Sequence, residues 1–408
     1  MVSYLTVLGV IPREPKFLLL KLSYLKLIPN LSFAKNQSYF TMLQRLYVHN
    51  FRCLENFELS LKDMSSALMI GKNGVGKSTI AHALQLLQSI GRGVNRVGNL
   101  VQPKDFVPER FTVPIRFEIE VLLKNKLYQY VLVLELPEGF KELRVFEEKL
   151  IVSGETIFSR SAAQVNLTAR SRDTQFLVAW HLIALPVIQE QSETDPLRIF
   201  RTWLAHMIIL APIPSLITGN SNGETLEPKR DGSNFGEWFS GLLSRYPAAY
   251  KEIDKYLQSV MPDISDIQNE LIGKDFKSMI VRFEKNNANL TIEFKDLSDG
   301  EKCFFLCAVV LAANKYYGPL FCFWDEPDNY LSLSEVGHFI VSLRRSFKND
   351  SQLLATSHNE EAIRKFSSEN IFLLDRKSHL EPTLIRLLSE VPINGDLIDN
   401  LILGDAEL

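Results

Sequence analysis

The stretch GKNGVGKST at 71–79 fits the pattern G-x-x-x-x-G-K-[ST]. An apolar run ending in Leu68, Met69 and Ile70 precedes it, and a helical pattern follows. The expected arrangement is a buried strand, a glycine turn that aims backbone N–H groups inward, and a helix that begins near Lys77 with its positive dipole end facing the turn. Such a turn cradles phosphates. In it Lys77 would reach the β- and γ-phosphates of a nucleotide and the Ser78 hydroxyl would take one position on Mg²⁺. Asn73, Gly74, Gly76 and Thr79 complete the contact set expected from the loop.

Composition sets the bounds around this site. The chain has 408 residues, 46% hydrophobic and 23% charged, enough for one large globular domain or two. A formal net charge of −3 gives no overall drive onto polyanions, although a local basic face stays open. The four cysteines, Cys53, Cys303, Cys307 and Cys322, form no C-x-x-C pair and read as reduced thiols of a cytoplasmic protein. The seven histidines show no metal-ligand spacing, so no metal beyond Mg²⁺ is expected. Residues 1–41 are apolar but broken by Pro12, Pro15, Pro29, Lys16, Lys21 and Lys26. They contain neither a bilayer-length run nor a signal-peptide core, and read as an N-terminal extension or an over-long start, poorly ordered, with no membrane role.

From 43 onward, LQRLYVH and the alternation at 57–61 predict short antiparallel strands beside the P-loop strand, which delivers Arg52 close to the nucleotide. Further strands are expected at 111–122, 126–136 and 143–152, the first two joined by a turn at Lys124-Asn125. Helical patterns follow over 160–210. A Gly-, Asn- and Ser-rich loop at 219–234 is a candidate for disorder, and an amphipathic helix is expected over 235–260. A hairpin should turn at Asn286-Asn287.

Three motifs make a second half. LSDGE at 297–301 precedes an apolar helix, placing Ser298, Gly300 and Glu301 at a helix N-terminus, where they form either a second anion site or an ordinary N-cap. The apolar strand at 320–324 ends in Asp325-Glu326-Pro327, the arrangement in which a strand-end carboxylate orders Mg²⁺ and its neighbour takes a proton from water. After the apolar strand at 353–356, Ser357-His358 brings an imidazole to where it could touch a γ-phosphate.

In this order, P-loop, LSDGE, FCFWDEP and TSH, the chain resembles the ABC-type ATPases of the RecF and SMC-like branch. The opening HNFRCLENFEL and the long separation between P-loop and LSDGE favour that branch over transporter cassettes. The segment DGSNFGEWFSGLL at 231–243 is similar to a stretch of small bacterial ATPases, which resemble the ATPase subunits of Septu, PARIS and retron anti-phage systems. The fold implied is α/β: an ABC ATPase head with a mixed-sheet P-loop core, an antiparallel β subdomain and a helical insertion lobe. The domains expected are 1–41, the extension; 42–136, the N-terminal ATPase lobe; 137–277, an insertion of strands and helices; and 278–408, the C-terminal lobe.

The resemblance implies two ATP molecules sandwiched in a head-to-tail homodimer, with higher oligomers open. Lys77, Ser78 and Asp325 would hold MgATP, Glu326 would be the general base, and His358 would sense the γ-phosphate. Ser298, Gly300 and Glu301 would bind the nucleotide of the opposite protomer, and Arg52 would couple the site to the outer strands. Where the family usually has Asp, within DEPDNYLS, this chain has Ser332, and Gln102 is a weak candidate for the Q-loop. Three roles follow: a switch for a separate effector such as a nuclease in anti-phage defence; a DNA-binding repair clamp like RecF; or an ATP-closed scaffold that hardly hydrolyses.

Overall fold

The computed structural model describes residues 41–168, 174–272, 274, 276–348 and 350–391. The expectations for 1–40 and for the tail after 391 lie outside these. In chain order the helices are α1 (Lys77–Gly91), α2 (Pro196–His206), α3 (Phe235–Arg245), α4 (Ala249–Val260), α5 (Asp299–Tyr316), α6 (Leu333–Ser346) and α7 (Glu360–Ile363). Among the described residues the strands form three sheets.

The first is an antiparallel meander of β1 (Thr41–His49), β2 (Phe57–Ser60), β4 (Ile115–Leu123), β5 (Lys126–Glu135), β6 (Arg144–Val152), β7 (Glu155–Ser161), β8 (Gln164–Leu167) and β9 (Thr174–Leu177), in the order β2-β1-β4-β5-β6-β7-β8-β9. Lys124 and Asn125, both at positive φ, turn β4 into β5. β1 and β2 belong to this meander, whereas β3 (Ser66–Ile70), the P-loop strand beside which they were expected, lies in the second sheet.

That second sheet runs β10-β14-β15-β3-β16-β17, with β10 (Ile208–Leu210), β14 (Phe321–Trp324), β15 (Gln352–Thr356), β16 (Ile371–Asp375) and β17 (Leu384–Leu387). All neighbours pair in parallel except β16 with β17. Alternate residues of each central strand enter different cores. Ala67 and Met69 of β3, with Phe321 and Phe323 of β14, join Ile80, Leu84 and Leu87 of α1 on one face, with the meander beyond. Leu68, Ile70, Cys322 and Trp324 join α3 to α6 on the other. A strand covered on both faces is apolar throughout, which explains the runs SALMI and FCFW. The parallel pairing brings the C-terminal ends of β3, β14 and β15 to one edge of the sheet, the usual ligand edge of such sheets.

A third sheet, β11 (Ile264–Ile272), β12 (Phe276–Lys285) and β13 (Ala288–Glu293), includes the expected hairpin, with Asn286 and Asn287 both at positive φ. Two helical expectations are corrected. Within 160–210 the chain continues the meander as β8 and β9 before α2 begins. Buried Arg160 and Glu148 explain this: Arg160 donates to the carbonyls of Ala162, Ala179 and Leu182, and the Glu148 carboxylate accepts from the amides of Ala184 and Leu185 at 2.7 and 2.8 Å. The two charges hold 179–185 as irregular chain against the sheet, because each satisfies backbone groups that a helix would have paired internally. Over 235–260, Pro247 separates α3 from α4, since a ring without N–H cannot continue the helix.

Candidate functional site

The strand β3 ends in Gly71, and the chain turns through Gly74 and Gly76 at φ values of 83° and 108° before α1 starts at Lys77. A Cβ on Gly71 would stand 2.3 Å from the Leu374 carbonyl oxygen, and one on Gly76 2.6 Å from Thr383 Oγ1. Glycine is therefore required at Gly71 by contact with a backbone carbonyl, and at both places by conformation, φ being 153° and 108°. The loop rims a cavity of about 490 Å³ that is lined by Asn73, Gly74, Gly76, Lys77, Ser78, Thr79, Arg52, Asp325 and Glu326, all of them expected from the sequence.

Lys77 lies 7% exposed at its centre. Its ammonium donates to the carbonyls of Gly71 at 2.6 Å and Lys72 at 3.3 Å, and lies 2.7 Å from His358 Nε2. Burial lowers the Lys77 pKa, an effect opposed by the nearby carboxylates of Glu326 and Asp325. Burial and the Lys77 charge together lower that of His358. A neutral imidazole whose Nε2 accepts from Lys77 makes no ion pair with Glu326, whose Oε1 stands 3.4 Å from the same nitrogen.

Buried Thr356 orients both acids: its hydroxyl donates to Asp325 Oδ1 at 2.7 Å and accepts from the Glu326 amide at 2.9 Å. The other Asp325 oxygen faces Ser78 Oγ at 3.4 Å. Glu326 sits at φ 49°, a left-handed conformation that costs a non-glycine residue about 1 kcal/mol and is held here by that amide bond and by its carboxylate, which accepts from the Asn329 side chain. Arg52, also left-handed at φ 55°, is locked by its Nε to Asp105 Oδ1 at 2.9 Å, which fixes it at the cavity wall.

Ser298, Gly300 and Glu301 do not line this cavity. They form the start of α5, Ser298 exposed and the other two half-buried, where Ser298 Oγ accepts from the Glu301 amide at 3.3 Å and the Glu301 carboxylate accepts from the Ser298 amide and hydroxyl at 2.8 and 2.7 Å. This is a closed capping box. Ser332 is likewise a helix cap, donating to Glu335 at 2.6 Å at the start of α6. Gln102 does not reach the cavity; Lys104, Phe106 and Pro108 of the same loop do.

Several residues at the site were not foreseen. Arg376 and His379, from the turn between β16 and β17, line the cavity beside Gly74. Asp328 is 4% exposed and its Oδ2 accepts from Ser357 at 2.9 Å, while Oδ1 has no partner among the described residues; burial pushes its pKa up to about 6. Arg230 comes from the stretch expected as a disordered loop. That stretch is tied to the sheet edge instead, the Arg230 and Asp231 carbonyls accepting from the amides of Ala211 and Ile213 at 2.8 and 3.0 Å. The only sequence signal for Arg230 is its position directly before DGSN.

The donor set fits a nucleotide with a hard divalent cation. Ser78 and Asp325 present two oxygens to one point, and Lys77 offers a cation held only by loop carbonyls and a neutral imidazole. Among the described residues no group of three or more His, Cys, Asp or Glu could hold a metal, so a cation here would complete its shell from phosphate and water. Among the described residues no helix is long and apolar enough to cross a membrane.

Residues 42–309 match the family described as AAA ATPase domain. Among solved structures, an SMC head bound to the C-terminal winged-helix domain of ScpA covers 85% of this chain and 98% of its own at 15% identity, TM-score 0.50. An SMC head with an extended coiled coil, bound to the C-terminal domain of ScpA from Pyrococcus furiosus, covers 90% and 99% at 12% identity, TM-score 0.50. These establish likeness of fold. An OLD nuclease of Thermus scotoductus is 39% identical over 66 residues, 16% of this chain, which spans 12% of that protein's length. The family match over 42–309 identifies the chain as a member of the AAA ATPase domain family, with a fold like that of SMC heads.

Proposed function

We propose that the protein binds MgATP between the P-loop and Asp325, hydrolyses it slowly with Glu326 as general base, and pairs head to tail with a second copy while ATP is bound. In this reading the pairing acts as a switch on a separate effector protein, such as a nuclease, in prokaryotic anti-phage defence. The observation that carries the ATPase part is the convergence of Lys77, His358, Glu326 and Asp325, delivered by the ends of three parallel strands, within 3.4 Å contacts of one another or of Ser78. The effector part rests on the resemblance to defence ATPases and is in keeping with the short likeness to an OLD nuclease.

Each residue then has a task. Lys77 leaves the Gly71 and Lys72 carbonyls to neutralise phosphate charge, and the loop amides hold the phosphates in place. Ser78 and Asp325 hold Mg²⁺, which when bound stabilises charge on the phosphate oxygens. Glu326, with Thr356 and Asn329 fixing its backbone and carboxylate, takes the proton of the attacking water. His358, neutral and already touching Lys77, responds to what lies beside that ammonium. The start of α5, exposed and away from the cavity of its own protomer, is free to face the nucleotide of another.

The test is recovery of tagged Glu326→Gln protein from its native host, with bound proteins and nucleic acids identified. A stoichiometric effector protein is expected. DNA with no protein partner would replace the switch by a repair clamp, and an ATP-loaded monomer in solution would remove the head-to-tail pairing.

A further inference from the structure

Arg230 reaches the site from residues 211–234, which carry no nucleotide-binding motif. Its Nη2 stands 3.6 Å from Asp325 Oδ2, the same oxygen that Ser78 Oγ faces at 3.4 Å. Its Nη1 lies 3.4 Å from each ring nitrogen of His82 on α1, so the guanidinium rests across the imidazole. Burial, followed by the adjacent guanidinium, pushes the His82 pKa down to about 4, and the ring is a neutral support. The side chain is 19% exposed. A guanidinium stays protonated even where burial lowers its pKa, as it does here, so Arg230 is a permanent cation at the Asp325 oxygen.

The backbone sets this geometry from the same strand end. The Leu210 carbonyl accepts from the Asp325 amide at 2.7 Å, and the next residue, Ala211, donates to the Arg230 carbonyl at 2.8 Å. Arg230 and Asp325 are thus each one hydrogen bond from the end of β10. The same segment also reaches the start of α5, because the buried Lys302 ammonium donates to the Pro214 carbonyl at 3.4 Å.

We propose that Arg230 holds the place of the divalent cation on Asp325 and yields it when the metal arrives with nucleotide. This rests on Asp325 being a metal ligand. Two cations on one carboxylate oxygen repel strongly, so the bare metal is disfavoured. Metal accompanied by phosphate brings its own negative charge, and the displaced guanidinium then has an anion to face. Arg230 is in this sense a positioning residue: it makes occupation of Asp325 depend on nucleotide, and residues 211–234 carry its displacement toward α5.

The experiment is an electron paramagnetic resonance titration of Mn²⁺ on the full chain, with and without a non-hydrolysable ATP analogue, for wild type, Arg230→Lys, Arg230→Met and Asp325→Asn. Without nucleotide, Arg230→Met should bind Mn²⁺ roughly tenfold more tightly than wild type, from removal of one charge beside a dication. Arg230→Lys should stay within a few-fold of wild type, and the analogue should shrink the difference between Met and wild type. A purely structural Arg230 would change thermal stability and leave nucleotide-free Mn²⁺ affinity alone. Equal nucleotide-free affinities in wild type and Arg230→Met, with Asp325→Asn defective, would overturn the proposal. Analogue-dependent Mn²⁺ binding that survives Asp325→Asn would instead remove Asp325 as the ligand, a different failure that also ends the placeholder.

Discussion

The P-loop and the start of α5 are both short turns that lead into a helix N-terminus, yet they treat that positive end in opposite ways. At α1 the cap is Gly76, with no side-chain cap and no acid in the first turn. At α5 the cap is Ser298 in a closed box, with Asp299 and Glu301 in the first turn. The first end is left for an outside anion, while the second supplies its own. A single protomer therefore has one uncapped helix end beside the cavity and one self-satisfied helix end. Any phosphate reaching α5 would have to compete with the Glu301 carboxylate.

Mutations should separate the two ends. The largest effect is expected at the open one: Glu326→Gln should lower kcat by about a thousandfold, within the usual range for loss of a general base, while ATP binding persists. Steady-state hydrolysis beside equilibrium binding measures both, and wild-type turnover would remove Glu326 from its role. Next, Lys77→Ala should weaken ATP binding by on the order of a hundredfold, since it deletes a charge-assisted phosphate contact. Retained nucleotide affinity would mean that the loop amides suffice and that the Lys77–His358 contact is only structural.

What the sequence made legible follows from how local each signal is. The P-loop, LSDGE and the turns at Lys124-Asn125 and Asn286-Asn287 are specified by neighbours in the chain, and the structure has the turns and helix starts where the residues predict them. β8 and β9 were hidden because what fixes the chain beyond them is distant in sequence: Arg160 and Glu148 are buried charges that bind backbone at 179–185. Pro247 was visible but outweighed by the apolar periodicity on either side of it. Arg230 was illegible for a related reason. Gly219, Gly232 and the polar residues around them have the composition of a flexible loop, yet Asn234 and Asp231 satisfy backbone amides within it, and the Ser221 and Lys277 backbones exchange hydrogen bonds at 2.9 Å.

The contrast between the ends extends to their acids. Glu301 is half-buried and paired, whereas Asp328, just past the end of β14, is buried with one oxygen unpartnered among the described residues. Burial raises its pKa from 3.8 to about 6. Because the native state then binds the proton more tightly than the unfolded chain, the favourable contribution is complete below about pH 4 and is lost as pH rises through about 6. Asp328→Asn is always neutral and can still accept from Ser357. It should exceed wild type in stability by ~3 kcal/mol at pH 8 and match it near pH 4. Urea unfolding at the two pH values checks this, and a difference independent of pH would place the buried charge elsewhere.

The smallest effect tests the closed end itself. Ser298→Ala removes the hydroxyl of the capping box, and a helix cap is worth about 1 kcal/mol. If α5 serves only its own fold, that loss should appear in urea unfolding and nowhere else, because Ser298 does not line the cavity of its own protomer. If α5 also closes on the nucleotide of a second copy, hydrolysis should fall by more than the stability loss explains and should fall more steeply as protein is diluted, while ATP binding to the monomer stays unchanged. The concentration dependence is the decisive readout, since a cap that matters only within one chain cannot produce it.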